Sequence, residues 1–321
     1  MSEAATLDPS LAPDAADATA CGVSVVIVTW NSGQPLLDCL ESLRANPPSV
    51  PWEAIVIDNG STDGTIARVR AEFPTVRVFE NRNNLGLPAA NNQGITASRS
   101  PFVLISNPDV IYPPGAIDAL LELVQRRERA AFAVANLRYP DGTLQTSVGD
   151  LPSLRHALLG RRLSGRVASD RCDGMWWHGW AHDEERAVGH GAEACYLVRR
   201  EAIDEIGLQD ERFVLDWEGL EWSRRAWTAG WEVWFCPAAT VTHLEGTSRK
   251  QVPARTIAST HLGIYLYMRR RARPALRPLL AGALLLRALA ALTVAAIEAA
   301  RARPELSCSP DSNANGPEGL S

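Results

Sequence analysis

The stretch VSVVIVTWNSGQPLLDCLESLRANPPSVPWEAIVIDNGSTD, residues 23–63, holds two short apolar runs at 23–28 and 54–57, each rich in Val and Ile and bounded by polar turns. Continuous runs of this kind mark parallel strands buried on both faces. Between them, residues 35–44 carry Leu36, Leu37, Leu40 and Leu43 at helical spacing. The stretch therefore reads as a βαβ unit. Each strand runs out into small polar residues: Thr29, Trp30, Asn31 and Ser32 after the first, Asp58, Asn59, Gly60 and Ser61 after the second. Ligands of open α/β sheets sit just beyond the carboxyl ends of the strands, so this edge is expected to form half of a nucleotide site.

Downstream, the alternation continues with a helix at 64–73 and a strand at 76–79. A helix opened by Gly86 presents Asn91 and Asn92, and a strand at 102–106 is closed by Asn107-Pro-Asp-Val110. A helix is expected at 113–127, with proline in its first turn and an Ile117, Leu120, Leu121, Val124 stripe. A strand at 132–135 and a hairpin turn at Tyr139-Pro-Asp-Gly142 follow. Residues 151–187 lose the pattern and are polar, basic and tryptophan-rich, which reads as a functional loop. Regular structure returns with a strand at 194–198, helices at 200–206 and 217–229, and closing strands at 231–235 and 240–243. Helices at 255–271 and 279–300 end the fold, and no internal repeat is apparent.

A length of 321 residues suits one large α/β domain with appendages, or two domains. An apolar fraction of 46% and a charged fraction of 21% are those of a soluble globular protein, and a net charge of −5 gives no reason to expect nucleic acid as a partner. The six cysteines lack CxxC spacing, so reduced thiols are expected rather than disulfides or a zinc cluster. The first twenty residues have neither a basic start nor an apolar core and so do not read as a signal peptide. Residues 1–21 and 304–321 read as disordered tails. Between them one α/β unit is expected over 22–250, in two parts at 22–136 and 137–250, followed by C-terminal helices at 251–303.

Polar residues at the strand ends carry the chemistry. The Asp58 carboxylate can accept hydrogen bonds from a ribose hydroxyl or a base N–H, although Ser61, Thr62 and Asp63 would equally suit a helix start. Asp109 follows the fourth strand at the same sheet edge as Asp58. A carboxylate placed over a nucleotide site suits Mg²⁺ or Mn²⁺, hard ions that bridge diphosphates; the competing reading is a turn-forming Asn-Pro-Asp without a ligand. His243 follows a strand and precedes Gly246 and Ser248, where it reads either as a ligand or as a structural histidine.

Taken together, Val-Thr-Trp-Asn-Ser, Ile-Asp-Asn-Gly-Ser-Thr-Asp-Gly-Thr, Asn-Leu-Gly with Ala-Ala-Asn-Asn, and Asn-Pro-Asp-Val resemble the family 2 glycosyltransferases. The closer resemblance is to their bacterial rhamnosyltransferase-like branch, over about residues 23–248. The resemblance implies a GT-A fold: a Rossmann-like, mostly parallel mixed sheet flanked by helices, here with a C-terminal helical extension. It implies that Thr29 and Asp58 hold base and ribose, and that Asn31, Asn84, Gly86, Asn91 and Asn107 line the nucleotide-sugar cleft. Asp109 and His243 would serve a divalent metal, with Asn107 in place of the first aspartate of the family's metal motif. The implied activity is inverting transfer of a sugar, L-rhamnose from dTDP-rhamnose above all, to a hydroxyl of a glycan or a lipid-linked sugar acceptor in cell-wall or surface polysaccharide synthesis.

One departure stands out. The family segment Glu-Asp-Val-Asp reads Glu218-Gly-Leu-Glu221 here, so the acid that usually deprotonates the acceptor falls on Gly219. An alcohol at neutral pH still needs general-base help. Glu218 is the favoured candidate, with Asp216 next and Glu221 third, unless these acids only stabilise the start of their helix. Trp176, Trp177, Trp180, Trp217 and Trp222 read either as sugar-stacking platforms or as core. The basic cluster 268–277 and the Leu/Ala-rich helix beyond it suit attachment to the membrane surface at its cytoplasmic face, with Arg287 weighing against a full span. Two other functions compete: a nucleotidyltransferase, disfavoured because residues 29–33 lack Lys and Arg, and a catalytically impaired nucleotide-sugar-binding or scaffold protein, favoured by Gly219.

Overall fold

The computed structural model describes residues 22–153, 176–213, 217–244 and 253–301. The expected tails, Asp216, residues 245–248 and most of the tryptophan-rich loop lie outside the described residues. The βαβ unit comprises β1 (Val23–Thr29), α1 (Gln34–Ala45) and β2 (Trp52–Asp58), followed by α2 (Thr65–Glu72) and β3 (Arg77–Glu80). Next come α3 (Leu87–Ala97), β4 (Phe102–Ser106), β5 (Val110–Ile111), α4 (Ala116–Arg126) and β6 (Ala130–Arg138). The second part contributes the short strands β7 (Val148–Gly149), β8 (Arg186–Ala187) and β9 (His190–Gly191), then β10 (Cys195–Arg199), α5 (Arg200–Ile206), α6 (Glu218–Thr228) and β11 (Glu232–His243). The helices α7 (Pro253–Arg269) and α8 (Arg277–Arg301) follow.

One mixed sheet runs in the order β3-β2-β1-β4-β10-β6-β11-β5, with β8 also on β11, while β7 and β9 form a small second sheet. Strands β3, β2, β1 and β4 are parallel, and β10 runs antiparallel between β4 and β6. All seven residues of β1 are buried because both faces are covered. Val23, Val25 and Ile27 pack with α1, α2 and α4, while Val26 and Val28 pack with α3, α5 and α6. Each such aliphatic side chain contributes about 1.5–3 kcal/mol when fully buried. Gly94 lets α3 lie directly on β1, since a Cβ there would strike the Val26 side chain.

The structure departs from the sequence reading at two places and decides a third that the sequence leaves open. The prolines at 113 and 114 precede α4 instead of entering its first turn, because Gly115 takes a left-handed conformation (φ 77°) that starts the helix at Ala116. The two closing strands are one long strand, β11, whose register against β6 shifts between Cys236 and Thr240. Four of the five singled-out tryptophans are core: Trp177 packs on Trp180 and Trp180 on Phe235, Trp222 packs on Phe132 and Tyr196, and Trp217 packs on Tyr267. Trp176 is half-buried against His190. The hairpin turn is present, with Arg138 paired to Leu144 across it. Cys39, Cys195 and Cys236 are buried and unpaired, and burial raises all three thiols well above their ordinary range.

Candidate active site

The carboxyl ends of β1, β2 and β4 lie side by side, and the loops after them interlock. Thr29 and Asp58 are register partners at the ends of β1 and β2. The Asp58 carboxylate accepts the Ser61 backbone N–H at 3.0 Å, so it closes the turn after its strand. It does not cap a helix, since α2 starts later at a left-handed Gly64. Asn31, itself in the left-handed region (φ 49°), receives the Thr62 N–H on its side-chain oxygen at 2.8 Å and donates its own N–H to Ser61 Oγ at 2.8 Å. Asn84 accepts the Gly86 N–H at 2.9 Å, and the Gly86 carbonyl accepts Asn59 Nδ2 at 3.3 Å. The rim of the cleft is thus built from side chain-to-backbone bonds that leave Thr29 Oγ1 and Asn91 Oδ1 buried without a hydrogen-bond partner. A buried hydroxyl and a buried amide oxygen without partners leave hydrogen-bonding capacity that suits a polar ligand.

Asn107, Asp109 and His243 come together across the sheet. β5 pairs antiparallel with the end of β11, setting Val110 opposite His243. The Leu244 N–H donates to the Asp109 carbonyl at 3.1 Å. Asp109 is 7% exposed and His243 8%. The imidazole Nε2 stands 3.3 Å from Asp109 Oδ1 and 3.2 Å from Asn107 Nδ2. Its Nδ1 donates to Gln145 Oε1 at 2.8 Å, so in the neutral ring the Nε2 lone pair accepts from the Asn107 amide. Nε2 and the Asp109 carboxylate oxygen also face each other at a separation that a proton or a cation would bridge. One carboxylate oxygen, one anchored imidazole nitrogen and a neighbouring amide fit a hard divalent cation that draws its other ligands from a diphosphate and water. Among the described residues no cluster of three or more His, Cys, Asp and Glu forms a protein-only cage.

The acids of α6 differ from one another. Glu218 is buried in the first turn and accepts the Trp217 N–H at 2.9 Å. The Glu221 carboxylate is fully buried and bound by Arg224 (2.9 Å), Arg225 (2.7 Å) and Arg270. Arg270 also reaches Asp210 at 2.8 Å. Hydrogen bonding from Arg212 holds the Asp210 carboxyl down at about 2, against the opposing effect of its own burial.

Three polar residues of this region escape the sequence reading. Gln145 anchors His243. Gln209 accepts from Asn91 Nδ2 at 3.1 Å and donates to Tyr196 Oη at 2.9 Å and to Glu193 Oε1 at 3.2 Å. Glu193 precedes β10, and the Asn107 N–H donates to the carbonyl of its neighbour Ala194 at 2.8 Å. Glu193 therefore sits at the same edge as Asp109, and its place just ahead of a predicted strand was the one signal that could have found it.

The family model described as glycosyl transferase family 2 matches residues 24–178. The chain is 33% identical over 286 residues to an N-acetylglucosaminyl-diphospho-decaprenol L-rhamnosyltransferase of Mycobacterium tuberculosis, covering 82% of this chain and 90% of that protein. Among solved structures, a mannosyltransferase from Pyrobaculum calidifontis in complex with GDP-Man and Mn²⁺ superposes with a TM-score of 0.52 at 16% identity, covering 87% of this chain and 76% of that one. GalNAc-T7 with UDP, GalNAc and Mn²⁺ gives 0.52 at 18% identity, covering 71% and 44%. These structural matches establish the GT-A fold.

Proposed function

The chain belongs to glycosyl transferase family 2, and on that premise we propose that it transfers L-rhamnose from dTDP-rhamnose, with inversion, to a hydroxyl of a polyprenyl-diphosphate-linked sugar. Similarity over most of the chain to an L-rhamnosyltransferase acting on a decaprenyl-diphospho sugar supports the choice of sugar and acceptor. The observation that carries the site is the Asp109–His243 pair, held 3.3 Å apart beside Asn107 and oriented by Gln145. Thr29 and Asp58 take the base and ribose, and Asn31, Asn84, Gly86 and Asn91 shape the wall around them. Asp109 and His243 hold Mg²⁺ or Mn²⁺, which supplies charge neutralisation to the departing nucleoside diphosphate. A carboxylate on the acceptor side takes the proton of the attacking hydroxyl.

The enzyme acts at the cytoplasmic face of the membrane, where a lipid-linked acceptor resides. Residues Pro274–Ala296 form a helix long and apolar enough to cross a bilayer. Leu279 and Leu286 on it are 72% and 70% exposed, while Leu280 and Leu284 pack against α6 and α7. One side thus docks on the enzyme and the other is free to lie in a lipid surface.

Calorimetry with a panel of nucleoside diphosphate sugars, with and without Mn²⁺, tests this reading. The wild type is expected to bind dTDP-rhamnose in a metal-dependent way, and Asp109→Ala to lose at least about tenfold in affinity, a direct metal ligand being worth no less than the residues that orient such ligands. Absence of binding to every donor would overturn it. A second reading, donor binding without turnover, is favoured by Gly219 and would show as metal-dependent affinity with no sugar transferred.

A further inference from the structure

We propose that Glu193 is the general base of this enzyme, standing in the space that Gly219 leaves open; the assignment rests on the glycosyltransferase reading above. Gly219 lies in the first turn of α6 without the positive φ that would call for glycine. Glycine in a helix carries an entropic penalty, so its presence here needs a steric reason. The reason is visible: a Cβ added at Gly219 would fall on the Glu193 carboxyl group, 2.5 Å from its carboxyl carbon and closer still to Oε1. The carboxylate of Glu193 therefore occupies the volume that an acid side chain at position 219 would fill. One element has given up its side chain, and the neighbouring chain before β10 delivers a carboxylate to the same place.

The surroundings of Glu193 suit the task. The residue is half-buried and its Oε2 is shielded from water, so an acceptor hydroxyl would meet the carboxylate out of contact with bulk solvent. Gln209 donates to its Oε1 at 3.2 Å and is itself held by Asn91 and hydrogen-bonded to Tyr196, which positions the carboxylate through an uncharged donor. The buried Tyr196 hydroxyl is pushed well above its ordinary range by desolvation, then by the negative charges of Glu193 and Glu218, which places both acids around one point. On α6 the alternatives are engaged otherwise: Glu221 by three guanidinium groups and Glu218 by the backbone at its own helix start.

In the proposed step, the acceptor hydroxyl gives its proton to the Glu193 carboxylate as its oxygen lone pair forms the bond to the anomeric carbon. The bond from that carbon to the diphosphate oxygen breaks, and its electron pair leaves with the nucleoside diphosphate. The glutamic acid then returns the proton to solvent.

The test is nucleoside diphosphate release from dTDP-rhamnose with a short-chain polyprenyl-diphosphate N-acetylglucosamine acceptor, alongside donor calorimetry and thermal melts. Glu193→Gln is expected to lower kcat by about 10²–10⁴-fold, the usual worth of a general base, with donor affinity and melting temperature preserved. Relocation supplies the second arm. Glu193→Ala frees the space, and E193A combined with Gly219→Asp should recover at least about tenfold of the activity lost in E193A alone, within the range of general-base catalysis. A purely structural role for Glu193 would instead lower donor affinity and stability along with kcat and give no recovery in the double variant, and either that pattern or an E193Q enzyme as fast as wild type overturns the assignment. A wild type that neither binds nor turns over any donor overturns the transferase reading itself.

Discussion

At the residue scale, the site depends on side chains held from a distance by other side chains. His243 would be free to turn about its side-chain bonds, yet Gln145 accepts its Nδ1–H at 2.8 Å and so directs Nε2 toward Asp109. Partners of this kind typically account for a factor of about 10–100 in metal affinity. Gln145→Leu is therefore expected to weaken Mn²⁺ binding about 10–100-fold, whereas Gln145→Glu, which can still accept the proton, should retain it; Mn²⁺ titration followed by electron paramagnetic resonance reads the difference. Equal affinities for the wild type and the leucine variant would remove Gln145 from the site. Asp58, Asp109 and His243 were legible in the sequence because each ends or follows a strand in an alternating βα pattern. Gln145 and Glu193 were not, because their partners are distant: Gln145 and His243 are 98 residues apart, and only the sheet brings them together.

At the scale of elements, α6 shows why an acidic cluster in sequence is not a cluster in function. Glu218 and Glu221 lie one turn apart, and the sequence ranks Glu218 first and Glu221 third among the candidate bases. The packing separates them: Glu221 points to the junction with α7 and, with Arg270, ties the C-terminal helices to the sheet-bearing part of the molecule. Breaking a buried ion pair from one side leaves the other charge uncompensated, at a cost of roughly 3–5 kcal/mol. Because its arginines are 21–33% exposed, Glu221→Gln should fall toward the lower end of that range in urea unfolding, with donor affinity unchanged under native conditions. A variant of wild-type stability that has lost turnover would return Glu221 to the catalytic candidates. The long elements were readable for a related reason. Strands buried on both faces, such as β1, β2 and β4, leave unbroken apolar runs, and α1 and α4 leave clear stripes. The two-residue strands β5, β7, β8 and β9 have no pattern long enough to detect. The continuity of β11 through Pro237 depends on a register shift against β6 that no local signal announces.

At the scale of the whole molecule, the proposed membrane attachment rests on the C-terminal helices. The basic cluster from Arg269 to Arg277 reads as a lipid-binding patch, but two of its members face inward: Arg270 binds Glu221 and Asp210, and Arg271 donates to the Pro152 carbonyl at 3.1 Å. Fewer charges than the sequence suggests are left to meet anionic lipid, so under the proposed attachment the larger share of membrane affinity would fall to the exposed leucines of α8. Each contributes about 1.5–3 kcal/mol when buried in an apolar phase. Replacing Leu279 and Leu286 together with Glu should therefore lower partition onto phosphatidylglycerol-containing vesicles by more than about tenfold, a conservative reading of that burial energy. Raising the salt concentration should have the smaller effect on the wild type, because only exposed charges are screened. Vesicle flotation of the full chain reads both quantities, and donor calorimetry on the same samples confirms an intact site. If salt releases the protein while the double variant still floats, the attachment is electrostatic and α8 packs elsewhere. If neither change matters because the wild type never floats, the enzyme meets its lipid-linked acceptor without a membrane anchor in this helix.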